Sequence, residues 1–279
     1  MGRTIVIGDV HGCLDELEDL LKTVDRRSDD RVLIVGDLVD RGPDSIGVIR
    51  YCIENGIESI MGNHDEKHVR HARKMEIHPD SRVGFKTEAE REMWRQLSTE
   101  ELVWLSSLPS MVRLDTHLVV VHAGMLPQLS PEVQLERVMH CCRYVEQRVD
   151  KKTGQLCWEM ARMKIVETEQ GNGFLRPVDS VYWTSVWSGP DSVLYGHNVT
   201  KGPAIEQEQV WKPYCVGLDT GAAFGMTLTA AVYESTACSN ANYPDRPQVP
   251  PFPQLVSVKS NFRCEADLFY EDTYVPEKA

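Results

Sequence analysis

Five short apolar runs in this sequence each lead into residues able to ligate a metal ion. Thr4 to Ile7 enters Gly8-Asp9-Val10-His11-Gly12, and Val32 to Val35 enters Gly36-Asp37. Ser59 to Met61 enters Gly62-Asn63-His64-Asp65, Val119 to Val121 enters His122-Ala123-Gly124, and Val193 to Tyr195 enters Gly196-His197-Asn198. Oxygen and imidazole donors without sulfur suit manganese, iron, zinc, cobalt or magnesium, with manganese placed first. Asp9, His11, Asp37, Asn63, His122 and His197 exceed what a single tetrahedral catalytic ion takes, whereas a bridging carboxylate lets them serve two divalent ions about 3.5–4 Å apart. Such a pair would carry +4 against the charges of Asp9 and Asp37, leaving a positive centre that attracts phosphate.

The elements that must position these residues are strands of a sheet, because side chains converge at the carboxyl ends of strands in α/β folds. Thr4 to Ile7, Val32 to Val35 and Ile57 to Met61 read as strands. Leu14, Leu17, Leu21 and Val24, then Ile46, Ile49 and Ile53, recur at helical spacing between them. This βαβ rhythm predicts an α/β (α+β) chain with parallel strands and flanking helices. A capping box from Ser98 to Glu101 starts a helix that Pro109 stops, and a hairpin is expected around Asp115-Thr116. Ser130-Pro131 is expected to start another helix, residues 150–190 read as a lid or insertion, and strands return at 193–195, 214–218 and 227–233. The catalytic domain is expected over 1–234. A Pro-rich C-terminal arm over 235–279, carrying one further strand at Leu255 to Val258, is expected to pack on it or extend it.

The charge balance narrows the partners. Lys plus Arg number 30 against 42 Asp plus Glu, a net charge of -12, so general binding to nucleic acid or anionic lipid is not expected. No run of about 18 apolar residues suggests a membrane span. Eight cysteines without a Cys-x-x-Cys pair suit a reducing compartment, and without a secretory pattern after Met1 the expected location is cytoplasmic.

Together the blocks Gly8 to Gly12, Gly36-Asp37 through Arg41-Gly42, Gly62 to Asp65, His122 to Gly124 and Gly196-His197 resemble those of the calcineurin-like metallophosphoesterases, over residues 4 to about 233. The resemblance implies a β sandwich of mixed sheets flanked by helices, with Asp9, His11 and Asp37 on one metal and Asp37, Asn63, His122 and His197 on the other. The expected reaction is in-line attack on phosphorus by a metal-bound hydroxide. The resemblance also implies that His64 is a general acid held by Asp65 and that Arg41 grips the phosphoryl oxygens.

Within that family, Gly36 to Gly42 with its Asp40 is similar to the serine/threonine phosphoprotein phosphatases. Gly62 to Asp65, Arg41-Gly42-Pro43, and Leu218-Asp219-Thr220-Gly221 followed by Leu228-Thr229 are more similar to the symmetrical diadenosine tetraphosphatases and their ApaH-like relatives. Asp65 stands where eukaryotic protein phosphatases carry Glu, and their Ser-Ala-Pro-Asn-Tyr segment is absent, so the ApaH-like branch is preferred. The expected substrate is a phosphorylated small molecule or nucleotide, above all a dinucleoside polyphosphate. Phosphoproteins are the alternative. A third reading is an inactive metal-binding scaffold presenting Pro250-Pro251-Phe252-Pro253 to a partner.

Other residues carry a plain reading beside a sharp one. Arg143 and Arg176 could form a second phosphate clamp or be ordinary solvated arginines. Tyr182, Trp183 and Trp187 could stack a nucleobase, but core packing is the expectation. His68 and His71 are expected to face solvent rather than to act as accessory ligands.

Overall fold

The computed structural model describes residues 2–78, 88–168, 171–175, 177–206, 214–234 and 252–264. Arg176, Pro250-Pro251 and most of the Pro-rich arm lie outside the described residues. The opening run comprises β1 (Thr4–Ile7), α1 (Leu14–Thr23), β2 (Arg31–Ile34), α2 (Ser45–Glu54) and β3 (Glu58–Ser59), with β1 parallel to β2 and β2 parallel to β3. Then come α3 (Asn63–Ile77), α4 (Glu88–Gln96), α5 (Thr99–Ser106) and the antiparallel pair β4 (Met111–Asp115) and β5 (Leu118–Val121). After α6 (Glu136–Cys141) follow two antiparallel pairs, β6 (Tyr144–Val149) with β7 (Leu156–Met160) and β8 (Lys164–Thr168) with β9 (Gly171–Leu175). The remaining strands are β10 (Val181–Tyr182), β11 (Ser192–Tyr195), β12 (Ala204–Glu206), β13 (Cys215–Gly217), β14 (Thr227–Tyr233) and β15 (Gln254–Lys259).

Two mixed five-stranded sheets, ordered β15-β14-β1-β2-β3 and β12-β13-β11-β5-β4, form the frame. Alternation along the strands shows how they stack, because successive side chains leave a strand on opposite faces. Val6, Leu33, Val35 and Ala231 of the first sheet share one buried cluster with Leu118, Val120, Leu194 and Val216 of the second. The intervening Ile5, Ile7, Val32, Ile34 and Ala230 turn outward onto Leu17 and Leu20 of α1 and Ile46 and Ile49 of α2. On the far side, Val119, Val121, Val193 and Tyr195 pack with Met139, Val145 and Trp183. The result is a β sandwich covered on both outer faces, which explains why β1, β2, β5 and β11 read as continuous apolar runs rather than alternating ones.

Several elements differ from expectation. β3 keeps only two residues because the chain leaves the sheet edge, where the Met61 amide donates to the Pro109 carbonyl, and turns into α3. Ser130-Pro131 opens a single 3-10 turn rather than a helix. Gln134 adopts φ -64° and ψ 146°, and its side-chain amide exchanges hydrogen bonds with the backbone of Leu126, so α6 starts only at Glu136. The described part of the C-terminal segment joins the first sheet. β15 pairs with β14 along its length, and the buried Glu16 carboxylate of α1 accepts from Ser260 Oγ and the Asn261 amide.

Candidate metal and phosphate site

The turns after β1, β2, β3, β5 and β11 converge, and their backbone is unusual. Among the described residues six non-glycine positions have positive φ, and five of them are His11, Asp37, Asp40, Arg41 and His197. Left-handed backbone at residues with a Cβ is costly and gathers at functional sites. Close approach adds a second constraint. A Cβ on Gly196 would lie 1.9 Å from Asp9 Oδ1, and one on Gly62 would lie 2.2 Å from the Asp37 amide nitrogen, so only glycine lets these turns close over the carboxylates.

Asp37 occupies the centre. One group of possible ligand atoms joins His11, Asp37 and His64, a second joins Asp37, His122 and His197, and within each group the atoms lie within 4.8 Å of one another. Tautomers are fixed from behind. The His11 Nδ1 donates to the Val39 carbonyl at 2.8 Å and the His122 Nδ1 to that of Val35 at 2.9 Å. Both Nε2 lone pairs therefore turn inward, toward Asp37 Oδ2 at 3.4 Å for His11 and Asp37 Oδ1 at 3.5 Å for His122. Asn63 Oδ1 joins them, 3.0 Å from His122 Nε2. Lone pairs facing one another around a carboxylate are what a cation would resolve, so the donor set fits divalent metal.

The electrostatics agree. Burial pushes the imidazoles of His11, His122 and His197 below their ordinary range, with Arg41 acting further on His11 and Arg143 on His197, a direction that favours the neutral form a ligand needs. Burial alone would raise the Asp37 carboxyl, but the imidazoles of His122, His64 and His11 and the Arg41 guanidinium reverse this and hold it well below the usual carboxylate range. Asp9 moves the other way, raised by burial and by the charges of Asp219 and Asp37. Its carboxylate accepts the His197 amide at 3.0 Å.

Two arginines border the cluster. Arg41 donates to His11 Nε2, and its guanidinium carbon stands 5.1 Å from the centroid of the Phe224 ring. Arg143 donates from Nε to His197 Nε2 at 3.1 Å.

The geometry alters two expectations, those for Asp65 and for His68. Asp65 does not hold His64. Its oxygens accept the Leu38 and Gly62 amides, each at 3.0 Å, which ties the β2 turn to the start of α3, and burial raises its carboxyl to about 8. The carboxylate on His64 is Asp40, whose Oδ2 lies 2.6 Å from His64 Nδ1. His68 does not face solvent but is fully buried, with Nε2 2.8 Å from Asp40 Oδ1. Trp183, by contrast, packs in the core as expected, fully buried and edge-on against Trp187 and Tyr195.

Asp219 was missed although the same rule would have found it, since it too follows an apolar strand, β13. It is buried, its charge acts on Asp9, it accepts the Gly221 amide at 3.1 Å through Oδ1, its Oδ2 has no hydrogen-bond partner among the described residues, and burial raises it to about 6.

The calcineurin-like phosphoesterase profile matches residues 2–201, and the chain belongs to that family. The family works with a dinuclear divalent metal centre, and the described residues supply candidate His and Asp donor groups for one. The chain is 30% identical to a crystal structure provisionally named a diadenosine tetraphosphatase, with TM-score 0.64 over 93% of this chain and 94% of that one. It is also 32% identical over 165 residues to the symmetrical bis(5'-nucleosyl)-tetraphosphatase of Vibrio parahaemolyticus, covering 57% of this chain and 56% of the relative. For the Salmonella typhimurium protein of the same name the identity is 37% over 148 residues, covering 51% of this chain and 49% of the relative. In these alignments the chain spans about half the length of the relatives. No helix among the described residues is long and apolar enough to cross a membrane.

Proposed function

We propose that this protein is a dinuclear-metal phosphohydrolase that cleaves phosphoanhydrides, with dinucleoside polyphosphates as its substrate class and symmetrical cleavage as its outcome. The observation that carries the reading is Asp37, shared by two donor groups, one with His11 and His64 and the other with His122 and His197. Asp9 and Asn63 complete the proposed ligand set. Two bound divalent ions would supply Lewis-acid polarisation and a nucleophile at neutral pH.

The chain's own residues do the rest. Arg41, fixed by Phe224 and His11, and Arg143, beside His197, meet the phosphoryl oxygens from two sides, and a guanidinium is the group best shaped for that contact. His64 delivers a proton to the departing oxygen from Nε2, because its Nδ1 is engaged by Asp40. The similarity to symmetrical tetraphosphatases supports the nucleotide substrate. A second reading, hydrolysis of phosphoserine or phosphothreonine in proteins, rests on Asp40, the residue that departs from the bacterial tetraphosphatase pattern and here contacts His64.

A product assay on metal-reconstituted protein separates the two. Diadenosine tetraphosphate, inorganic polyphosphate and a phosphothreonine peptide are compared, and two ADP from the first substrate are expected. ATP plus AMP, or rapid peptide turnover without dinucleotide cleavage, would overturn the preferred reading.

A further inference from the structure

Behind Asp40 stands a chain of buried and half-buried contacts that the reaction as described does not use. His68 lies one helical turn beyond His64 on α3, and its Nε2 donates to Asp40 Oδ1 at 2.8 Å. Its other nitrogen, Nδ1, accepts the Trp94 indole N–H from α4 at 2.9 Å. Lys67 donates to Asp40 Oδ2 and, at 3.0 Å, to Glu90 of α4. The Asp40 backbone amide donates to Ser45 Oγ at 3.0 Å, and Asp40 itself holds φ +70°.

The indole is the informative member, since it can only donate. His68 must therefore present a lone pair at Nδ1, and the proton it carries sits on Nε2, pointed at Asp40. Trp94 thus selects one tautomer of a fully buried imidazole, and that tautomer gives Asp40 a donor on the oxygen that His64 does not use. With the other tautomer, Asp40 Oδ1 would face a lone pair at 2.8 Å, and the carboxylate would have to rotate and carry His64 with it.

We propose that His68 and Trp94 are positioning residues, which fix the orientation of the Asp40 carboxylate and through it the aim of His64. The proposal rests on the reading of His64 as the proton donor. It assigns a role in turnover to α4, an element that carries no metal ligand and none of the sequence motifs of the site.

The test uses the full chain loaded with magnesium or zinc, which are diamagnetic. Imidazole nitrogen NMR is expected to show His68 protonated at Nε2 and unprotonated at Nδ1, and Trp94→Phe should mix this state with the alternative tautomer. Kinetics follow on two leaving groups, with chemistry rate-limiting. Trp94→Phe should lower kcat on phosphoserine about tenfold, part of the roughly 10²- to 10⁴-fold that a general acid contributes, and lower it less on nitrophenyl phosphate. KM and metal content should stay unchanged. His68→Gln, whose amide can accept from Trp94 and donate to Asp40, should retain most activity that His68→Leu loses.

A proton on His68 Nδ1 in the wild type, or equal losses on both substrates in Trp94→Phe, would overturn the proposal. If His64→Asn itself loses equally on both substrates, the acid reading falls instead, and the nitrogen spectra still decide the His68 tautomer.

Discussion

The Arg41 guanidinium stands over the Phe224 ring at 5.1 Å, and Phe224 in turn forms an antiparallel bridge with Arg263. The Cys264 amide donates to the Ala223 carbonyl at 2.7 Å beside it. A segment near the end of the described chain therefore braces the surface on which a phosphate-gripping arginine rests. A cation–π contact of this kind is worth about 0.5–1 kcal/mol, or roughly two- to fivefold. Phe224→Leu should raise KM for the phosphorylated substrate by about that factor with metal content unchanged. Steady-state kinetics check it, and an unchanged KM would show that Arg41 holds its place without the ring.

Asp37→Asn tests the shared carboxylate. The amide offers one oxygen where Asp37 faces ligands on both sides, so elemental analysis should find metal lost together with activity. Full wild-type turnover with a single tightly bound ion would refute the dinuclear assignment.

For His64, the expected outcome is uneven loss. His64→Asn should keep both metals and substrate affinity. Alkyl phosphates such as phosphoserine, whose leaving oxygen needs the proton most, should slow by about 10²-fold or more, and nitrophenyl phosphate should slow less. Loss of a metal in this variant would recast His64 as a ligand, a role its place beside His11 and Asp37 makes checkable.

The glycines give a sharper structural test. Gly196→Ala places a methyl 1.9 Å from Asp9 Oδ1, and the neighbouring Val35 side chain lies 2.6 Å from the same point. Asp9 must then give way, so metal content should fall even where circular dichroism shows an intact fold. Retained metal stoichiometry would mean that the turn can shift without disturbing Asp9.

Much of this was legible in the sequence because the constraints are local. A strand buried on both faces must be continuously apolar, and the turn after it must release its polar residue at the sheet end, so Asp9, Asp37, His122 and His197 announce themselves. The Ser98 box is equally local, with its side-chain oxygen accepting the Glu101 amide at 3.2 Å. What stayed hidden depends on contacts between separate elements. Nothing local says whether His64 turns toward Asp65, its neighbour in sequence, or toward Asp40 at the end of another strand. His68 looked solvent-facing because α3 is polar overall, and only the arrival of Trp94 from α4 buries it. Asp219 stands two residues past β13 but follows Leu218 rather than a glycine, so its strand-end position is less marked than those of Asp9 and Asp37.

The last prediction concerns stability away from the site. Asp30 accepts the Arg3 amide at 2.9 Å, the Arg3 side chain at 2.7 Å and the Arg27 amide at 2.9 Å, linking the start of β1 to the turn before β2. Burial alone would raise its carboxyl, but Arg3 and these amides outweigh that and bring it down to about 2. A carboxylate depressed in the folded state stabilises most above its unfolded value of about 3.9, and the contribution is lost as pH falls from there through about 2. Asp30→Asn leaves Arg3, a residue only 8% exposed, with the Asp25 carbonyl but without its anion, and a carboxyl depressed to about 2 corresponds to about 2.6 kcal/mol of stability at neutral pH. At neutral pH the variant should therefore unfold at clearly lower urea concentration than the wild type, and the gap should close on acidification toward pH 2. A gap that persists undiminished at that pH would show that the loss comes from packing at the turn rather than from the charge on Asp30.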